Sequence, residues 1–508
     1  MIPLIWLIWL IWLLVPILVD CTETIGRTLL VSLRPMFSLR RARSELPAVT
    51  VIVPVYNEAD TIVRCLESLR KQDYPGWRLE VIVVDDGSTD ATSEAVREYI
   101  ERSTWLKGEL SSMDPMLELA YRARKLHTLR KTMRCLPRAL ASLMLSRYKG
   151  ELADMEARLT AGCIRYVRIR HSGKPKAITR GLMLANGEII VTVDADVELD
   201  RAAIRRLVEA ILDKRLDAAS GSVLIDLRAS GAAFKEKLLA KLQYIEYISA
   251  FLLGRAYQDL LGVIFCLAGA FSGFRREILL RTLSIGDAKL GLLFKLHDIG
   301  EVRFTSRTVV EDLDVTLMLH ERGFRTGFVE DAIAYLTPAR TVSSLYSQRV
   351  RWRRGQLEAL ALFMGKQLSF RASLLLSHIM MVDFTIGVLR LIWAPLLLTL
   401  PLMGLYPMLS IIAVLLLTYV LYVLVDLLQL AATYFKLERR RDRLDILSCI
   451  PYVLVMPLYR ALVFYFRMSA YLQTLKTEPK WRTQLLAVAP DRLKAASLAE
   501  LVRKVLRG

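Results

Sequence analysis

Read for its alternation of apolar and polar positions, the chain falls into three regimes. The first is Met1 to Val19, an almost unbroken run of Ile, Leu, Trp and Val with no basic residue before it and no small-residue cleavage site after it. It predicts a retained transmembrane anchor in which Trp6, Trp9 and Trp12 are lipid-facing bulk. The second regime begins near residue 48. Ala48 to Val55 (AVTVIVPV), Leu79 to Val84 (LEVIVV) and Glu188 to Val193 (EIIVTV) are short, β-branched apolar runs set among polar turns and helix-like stretches. Repeated βα alternation predicts a parallel sheet with helices on both faces. Such sheets bind ligands beyond the carboxyl ends of their strands, and each of these runs ends in polar or acidic residues. The third regime starts near Ile379 and holds the candidate spans Ile379 to Met403, Met408 to Thr433 and Ile446 to Phe466.

Charge assigns sides to this pattern. Arg27, Arg34, Arg40, Arg41 and Arg43 follow the anchor, so the positive-inside rule puts them, and the domain after them, in the cytoplasm. The basic loop Lys436 to Arg443 suits the same side. Three spans would carry the basic tail from Arg467 outside, so either one span is re-entrant or interfacial or the tail is an exception. Asp383, Arg390 and Asp426 within the spans are expected to face a bundle interior or a polar conduit.

Composition agrees with a membrane protein: 54% of the 508 residues are hydrophobic and the mean hydropathy is +0.35, too high for an ordinary soluble enzyme. A formal net charge of +19 suits nucleic acid, an anionic membrane or phosphorylated substrates. Position sets nucleic acid aside, because the basic residues gather beside membrane segments without interleaved aromatics. Cysteines at 21, 65, 135, 163, 266 and 449 form no Cys-x-x-Cys pair and read as reduced, mostly buried thiols. Between Asp90 and Gly173 the chain is far longer than a βαβ crossover needs. The excess, about Pro115 to Lys149, is helical and basic, and reads equally as a helix lying on an anionic leaflet or as a solvated insertion.

Candidate chemistry sits at the strand ends. Asp85-Asp86-Gly87-Ser88 follows one strand and Asp194-Ala195-Asp196 another. Either alone is weak, since Asp and Ser also cap helices and line surface turns. Together they put several carboxylates around one cleft. Hard oxygen ligands suit Mg²⁺ or Mn²⁺, commonly completed by substrate phosphates, so the pair points to a diphosphate-handling site.

These strings belong to an ordered set: Val53-Pro54-Val55-Tyr56-Asn57-Glu58, Asp85-Asp86-Gly87-Ser88, Gly173-Lys174 with Ala177 and Gly181, Asp194-Ala195-Asp196, Gly269, Phe274-Arg275-Arg276, Val310-Glu311-Asp312 and Gln348-Arg349-Val350-Arg351-Trp352. In that order the set resembles the membrane-bound family 2 glycosyltransferases, which include cellulose, hyaluronan and poly-N-acetylglucosamine synthases. The resemblance implies an α/β GT-A (Rossmann-like) cytoplasmic domain plus an α-helical transmembrane region in the plasma membrane. It implies a uridine pocket walled by Pro54, Tyr56, Asn57 and Glu58, with Asp85 and Asp86 at the nucleotide and Lys174 on the donor phosphates. Asp194 and Asp196 are the implied ligands of Mg²⁺ or Mn²⁺, with Asp196 the direct one. Asp312 is the implied base, beside Glu311, in a motif whose usual threonine is Val310 here. Gln348, Arg351 and Trp352 are implied at the diphosphate and the acceptor sugar, leaving Arg349, Arg353 and Arg354 for the membrane surface. Thr179 stands where many relatives carry asparagine.

The expected organisation is an anchor (1–19), a basic linker (20–47), a GT-A domain (48–360) with a basic helical insertion at about 105–160, an interfacial segment (361–378), transmembrane helices (379–466) and a basic tail (467–508). The expected activity is inverting, metal-dependent transfer from a UDP-sugar to a growing polysaccharide, N-acetylglucosamine being the preferred sugar. A non-processive enzyme acting on a lipid or polyprenyl phosphate is the first rival. A non-catalytic scaffold or glycan-binding protein is the rival of another class. Expected partners are the UDP-sugar, a polysaccharide or lipid-linked acceptor, membrane lipids and an accessory membrane or export protein, without nucleic acid.

Overall fold

The structure, a computed structural model, describes residues 21–33, 46–102, 164–283, 311–363, 368, 370–379, 399, 401–404 and 407–476. The anchor, the basic insertion, Val310, Asp383, Arg390, most of the first C-terminal span and the tail beyond 476 lie outside the described residues.

The chain forms two compact bodies, one of residues 46–209 and 270–283, the other of 21–33, 210–269 and 311–476. Strands β1 (Val49–Val55), β2 (Leu79–Asp85), β3 (Ile164–Arg168), β4 (Ile189–Val193) and β5 (Val197–Leu199) belong to the first, and β6 (Ala218–Ile225) to the second. Strand β7 (Phe271–Arg275) returns to the first body and β8 (Thr326–Leu336) to the second.

In the first body the order is β3-β2-β1-β4-β7. The first four strands are parallel, as the apolar runs predict, whereas β7 pairs antiparallel with β4, so the sheet is mixed. Every residue of β1, β2 and β4 is buried, which is why these strands read as continuous apolar runs without alternation. Helices α1 (Ile62–Arg70), α2 (Thr92–Arg102) and α3 (Lys174–Leu184) belong to this body. Strands β2 and β3 lie on one side of β1 and β4 on the other, so chain order reverses between β1 and β4. A ligand crevice forms at such a reversal. The β1–β4 ladder stops at Ile52 and Thr192, and Pro54, which has no N–H to donate, follows the last pair. Gly181 lets α3 lie close on β1, since a Cβ there would meet Ile52 Cγ2 at 2.5 Å.

In the second body β6 and β8 pair in parallel, with a register shift at Gly221/Ser222. Helix α4 (Phe234–Ile248) continues through a π-helical stretch, Ser249–Arg255. Helix α5 (Glu311–Glu321) packs on α6 (Val342–Phe363), burying Leu313, Leu317 and Met318 against Ala359. Helix α7 (Met408–Lys436) is followed by α8 (Arg440–Cys449) and α9 (Met456–Lys476). Ile411–Lys436 and Arg440–Thr474 are long and apolar enough to cross a membrane. Asp426 of α7 is buried and ion-paired with Arg460 of α9, as expected of a carboxylate turned toward a bundle interior.

Candidate active site

The turns after β1 and β2 are laced together by their own side chains. Asn57, at φ 55°, takes the left-handed conformation that asparagine tolerates. Its N–H donates to Ser88 Oγ and its Oδ1 accepts from the Thr89 N–H, while Glu58 N–H donates to Thr92 Oγ1. Asp85 is fully buried and its carboxylate accepts from Ser88 N–H (2.7 Å), Ser93 Oγ (2.7 Å) and Tyr166 Oη (2.6 Å). Burial alone would raise this carboxyl, but the donors outweigh it and hold Asp85 below the usual carboxylate range. A nucleobase reaching for Asp85 would have to compete with those donors. Asp86 is equally buried and accepts from the N–H groups of Ser172 and Gly173, both at 2.8 Å. It thereby fixes the entry to α3, where Gly173 sits at φ 94° and a side chain would be strained.

His171, which sequence reasoning missed, lies on this edge. Its Nδ1 is 3.1 Å from Asp86 O and 3.0 Å from Asp86 Oδ2, two acceptors that require a proton on that nitrogen. Its ring stacks on Tyr56 with centroids 4.4 Å apart. Tyr166 and Ser93 were missed as well. The signal available was weak, because β3 is a half-exposed edge strand whose apolar run is interrupted by arginines.

The acidic pair after β4 is a different environment. Burial, the Asp194 carboxylate and then Glu58 push Asp196 up to about 7. Glu58 is raised too, by burial first and in part by Asp194, although Thr61 Oγ1 donates to it at 2.6 Å. The buried Cys65 thiol sits 3.6 Å from the Asp194 carbonyl and is also pushed up, by burial and then by Asp196 and Asp194. Lys174 Nζ pairs with Asp194 Oδ1 at 2.7 Å. Three carboxylates thus crowd the β1–β4 reversal against one lysine, a negative charge excess that a divalent cation relieves. The donors are all hard oxygens. Among the described residues no three His, Cys, Asp or Glu side chains are placed to hold a metal ion by themselves, so a cation here would need ligands from elsewhere, such as phosphate.

Glu311, Asp312, Gln348, Arg351 and Trp352 belong to the second body. Asp312 lies in the first turn of α5, where the helix dipole favours an anion. Its Oδ1 accepts from Leu313 N–H at 2.8 Å and its Oδ2 from Gly269 N–H at 3.0 Å, and the Cys266 thiol is hydrogen-bonded to the same carboxylate. Glu311 is buried. Gln348 keeps a buried Oε1 without a hydrogen-bond partner among the described residues, and Arg351 is exposed.

The other arginines of this motif correct the expectation of a lipid-facing cluster. Arg349 is 5% exposed, pairs with Glu246 Oε2 at 2.6 Å and lies over the Trp352 ring at 4.5 Å. Tyr459 of α9 donates to the same Glu246 oxygen at 2.7 Å. Arg353, also 5% exposed, donates to Tyr471 Oη, and Arg354 pairs with Glu358 at 2.9 Å. Their guanidinium groups are engaged inside the second body, each with a partner on its own helix or a neighbouring one.

Known proteins resemble this chain in sequence and in fold. Residues 50–109 match the family model "Glycosyl transferase family 2" and residues 189–426 "Glycosyl transferase family group 2". An N-acetylglucosaminyltransferase of Bradyrhizobium diazoefficiens is 26% identical over 318 residues, 62% of this chain and 50% of its own length. A poly-beta-1,6-N-acetyl-D-glucosamine synthase of Staphylococcus aureus is 23% identical over 317 residues, 62% of this chain and 56% of its own. The chain thus spans about half the length of the curated relatives it matches. A solved mannosyltransferase, PcManGT from Pyrobaculum calidifontis in complex with GDP-Man and Mn²⁺, superposes with a TM-score of 0.52 at 17% identity, over 91% of this chain and 98% of that one. The fold is therefore that of a GT-A enzyme, a mixed sheet with flanking helices. Both family models match in order along the chain, which carries glycosyltransferase family 2 domains.

Proposed function

We propose that this chain transfers a sugar, with inversion, from a UDP-sugar to a growing glycan at the cytoplasmic face of the membrane crossed by α7 and α9. The observation that carries the proposal is the crowding of Glu58, Asp194 and Asp196 beside Lys174 at the β1–β4 reversal. N-acetylglucosamine is the favoured sugar, since relatives of matching sequence are named for its transfer.

In this reading the base lies against the turn of Pro54, Tyr56, Asn57 and Glu58 and reaches Asp85 by displacing one of its hydroxyl donors. Asp86 holds the Gly173 turn so that Lys174 faces the diphosphate. Asp196, with Asp194, would hold Mg²⁺ or Mn²⁺. When bound, the cation neutralises charge on the departing diphosphate. Asp312 takes the proton of the acceptor hydroxyl as its oxygen bonds the anomeric carbon and the bond to the diphosphate oxygen breaks. Glu311 backs that carboxylate. Arg351 offers the leaving diphosphate a permanent charge and a planar donor fork, Trp352 presents a flat face to the acceptor sugar, and Gln348 offers its amide oxygen to the same acceptor.

The test uses purified membranes with Mg²⁺ or Mn²⁺ and a labelled panel of UDP-sugars and GDP-mannose. The expected result is release of UDP and labelled glycan, both abolished by EDTA. Equal product from D312N would overturn the base assignment. Product length separates a polymerase from single transfer to a lipid.

A further inference from the structure

The segment Ile264–Gly269 belongs to no helix or strand, yet five of its six N–H groups donate to side chains. Phe265 N–H donates to Gln258 Oε1 (3.0 Å), Leu267 N–H to Thr316 Oγ1 (2.9 Å), Ala268 N–H to Ser220 Oγ (3.1 Å) and Gly269 N–H to Asp312 Oδ2 (3.0 Å). Ile264 N–H reaches Thr326 Oγ1 at 3.4 Å, and Ile264 C=O accepts from His320 Nε2 at 2.7 Å. Every bond here joins the strap to a side chain of another element.

Three of these side chains follow helical spacing on α5. Asp312, Thr316 and His320, four residues apart, lie on one helix face and grip the strap at successive points. Thr316 has a double part. Its hydroxyl accepts from Leu267 N–H and donates to the carbonyl of Asp312 at 2.6 Å, so it ties the strap to the main chain of the residue whose carboxylate the strap also holds.

We infer that Thr316 and Ser220 are positioning residues that set the Asp312 carboxylate through the Ile264–Gly269 strap. The inference rests on the reading of Asp312 as the base. Thr316, Ser220 and Leu267 are buried, so removing a hydroxyl leaves a strap N–H with neither acceptor nor water. The strap then shifts, and a base displaced by a fraction of an ångström loses turnover while donor binding stays intact.

The conservative pair at Thr316 separates positioning from packing. T316V keeps the shape and removes the hydroxyl; T316S keeps the hydroxyl and removes a methyl. In full-length protein with UDP-N-acetylglucosamine and Mn²⁺, T316V is expected to lower kcat by roughly ten- to a hundredfold with KM for the donor unchanged. T316S should stay close to wild type. The reverse order, T316S the worse and T316V unchanged, would mean a packing role and overturn the proposal. Should T316V fail to fold, S220A makes the same test one residue along the strap: a kcat loss at constant KM supports the proposal, and wild-type kcat overturns it. D312N is the control. A fully active D312N removes the base and the proposal with it, whereas an inactive D312N beside an unaffected T316V refutes the positioning role alone.

Discussion

The two acidic pairs of the first body show how little residue type alone decides. Asp85-Asp86 and Asp194-Asp196 both follow parallel strands of one sheet, yet their chemistries diverge. The first pair is saturated: hydroxyls and backbone N–H groups converge on each carboxylate, and Asp85 is held ionised despite full burial. The second pair is crowded instead: Asp196 sits at about 7 because burial and two further carboxylates, Asp194 and Glu58, oppose its charge, while Lys174 pairs with Asp194. Saturated carboxylates build loops. Crowded ones favour a nearby cation.

The largest expected effect comes from breaking the crowded side. D196N should cut transfer by a hundredfold or more, on the order of what a lost electrostatic stabiliser costs at an active site. The same change relieves charge crowding, so in EDTA its thermal unfolding midpoint should lie above that of wild type. A lower midpoint would mean that the crowding is not felt. Next, the saturated side should behave in the opposite way. D86A leaves the Ser172 and Gly173 N–H groups without their acceptor and should destabilise the protein by about 3 kcal/mol in chemical denaturation, since bonds to a charged partner are the stronger ones.

Y166F is the mildest change, removing one donor from Asp85 at a cost of about 1 kcal/mol. It also has a pH signature. A carboxyl held low in the folded state contributes stability above its unfolded value of about 3.9, and that stability is lost as pH falls through the folded value. With one donor fewer the folded value rises, so the acid-unfolding midpoint of Y166F should move to higher pH. An unchanged midpoint would show that Tyr166 does not support the charge.

Much of the first body was legible because buried parallel strands write themselves as β-branched runs, and their acidic ends follow directly. The antiparallel β7 was hidden, since Phe271-Ser272-Gly273-Phe274-Arg275 has no long apolar run. Arg349 misled for a physical reason: a run of arginines ahead of apolar spans looks like a lipid-binding cluster, while its partners Glu246 and Tyr459 lie about a hundred residues away on either side. The strap was invisible for the same cause. Its acceptors, Ser220, Gln258, Thr316 and Thr326, follow no period that includes residues 264–269, and only folding gathers them.

That strap bears on how such enzymes diversify. A ladder strand can move only by slipping register, which turns its whole side-chain set over. A segment suspended from individual hydroxyls and amides can instead be re-hung by exchanging Ser for Thr or Gln for Asn, one anchor at a time. Selection could thus retune the neighbourhood of Asp312 in small steps while the acidic strand ends beside Lys174 stay as they are.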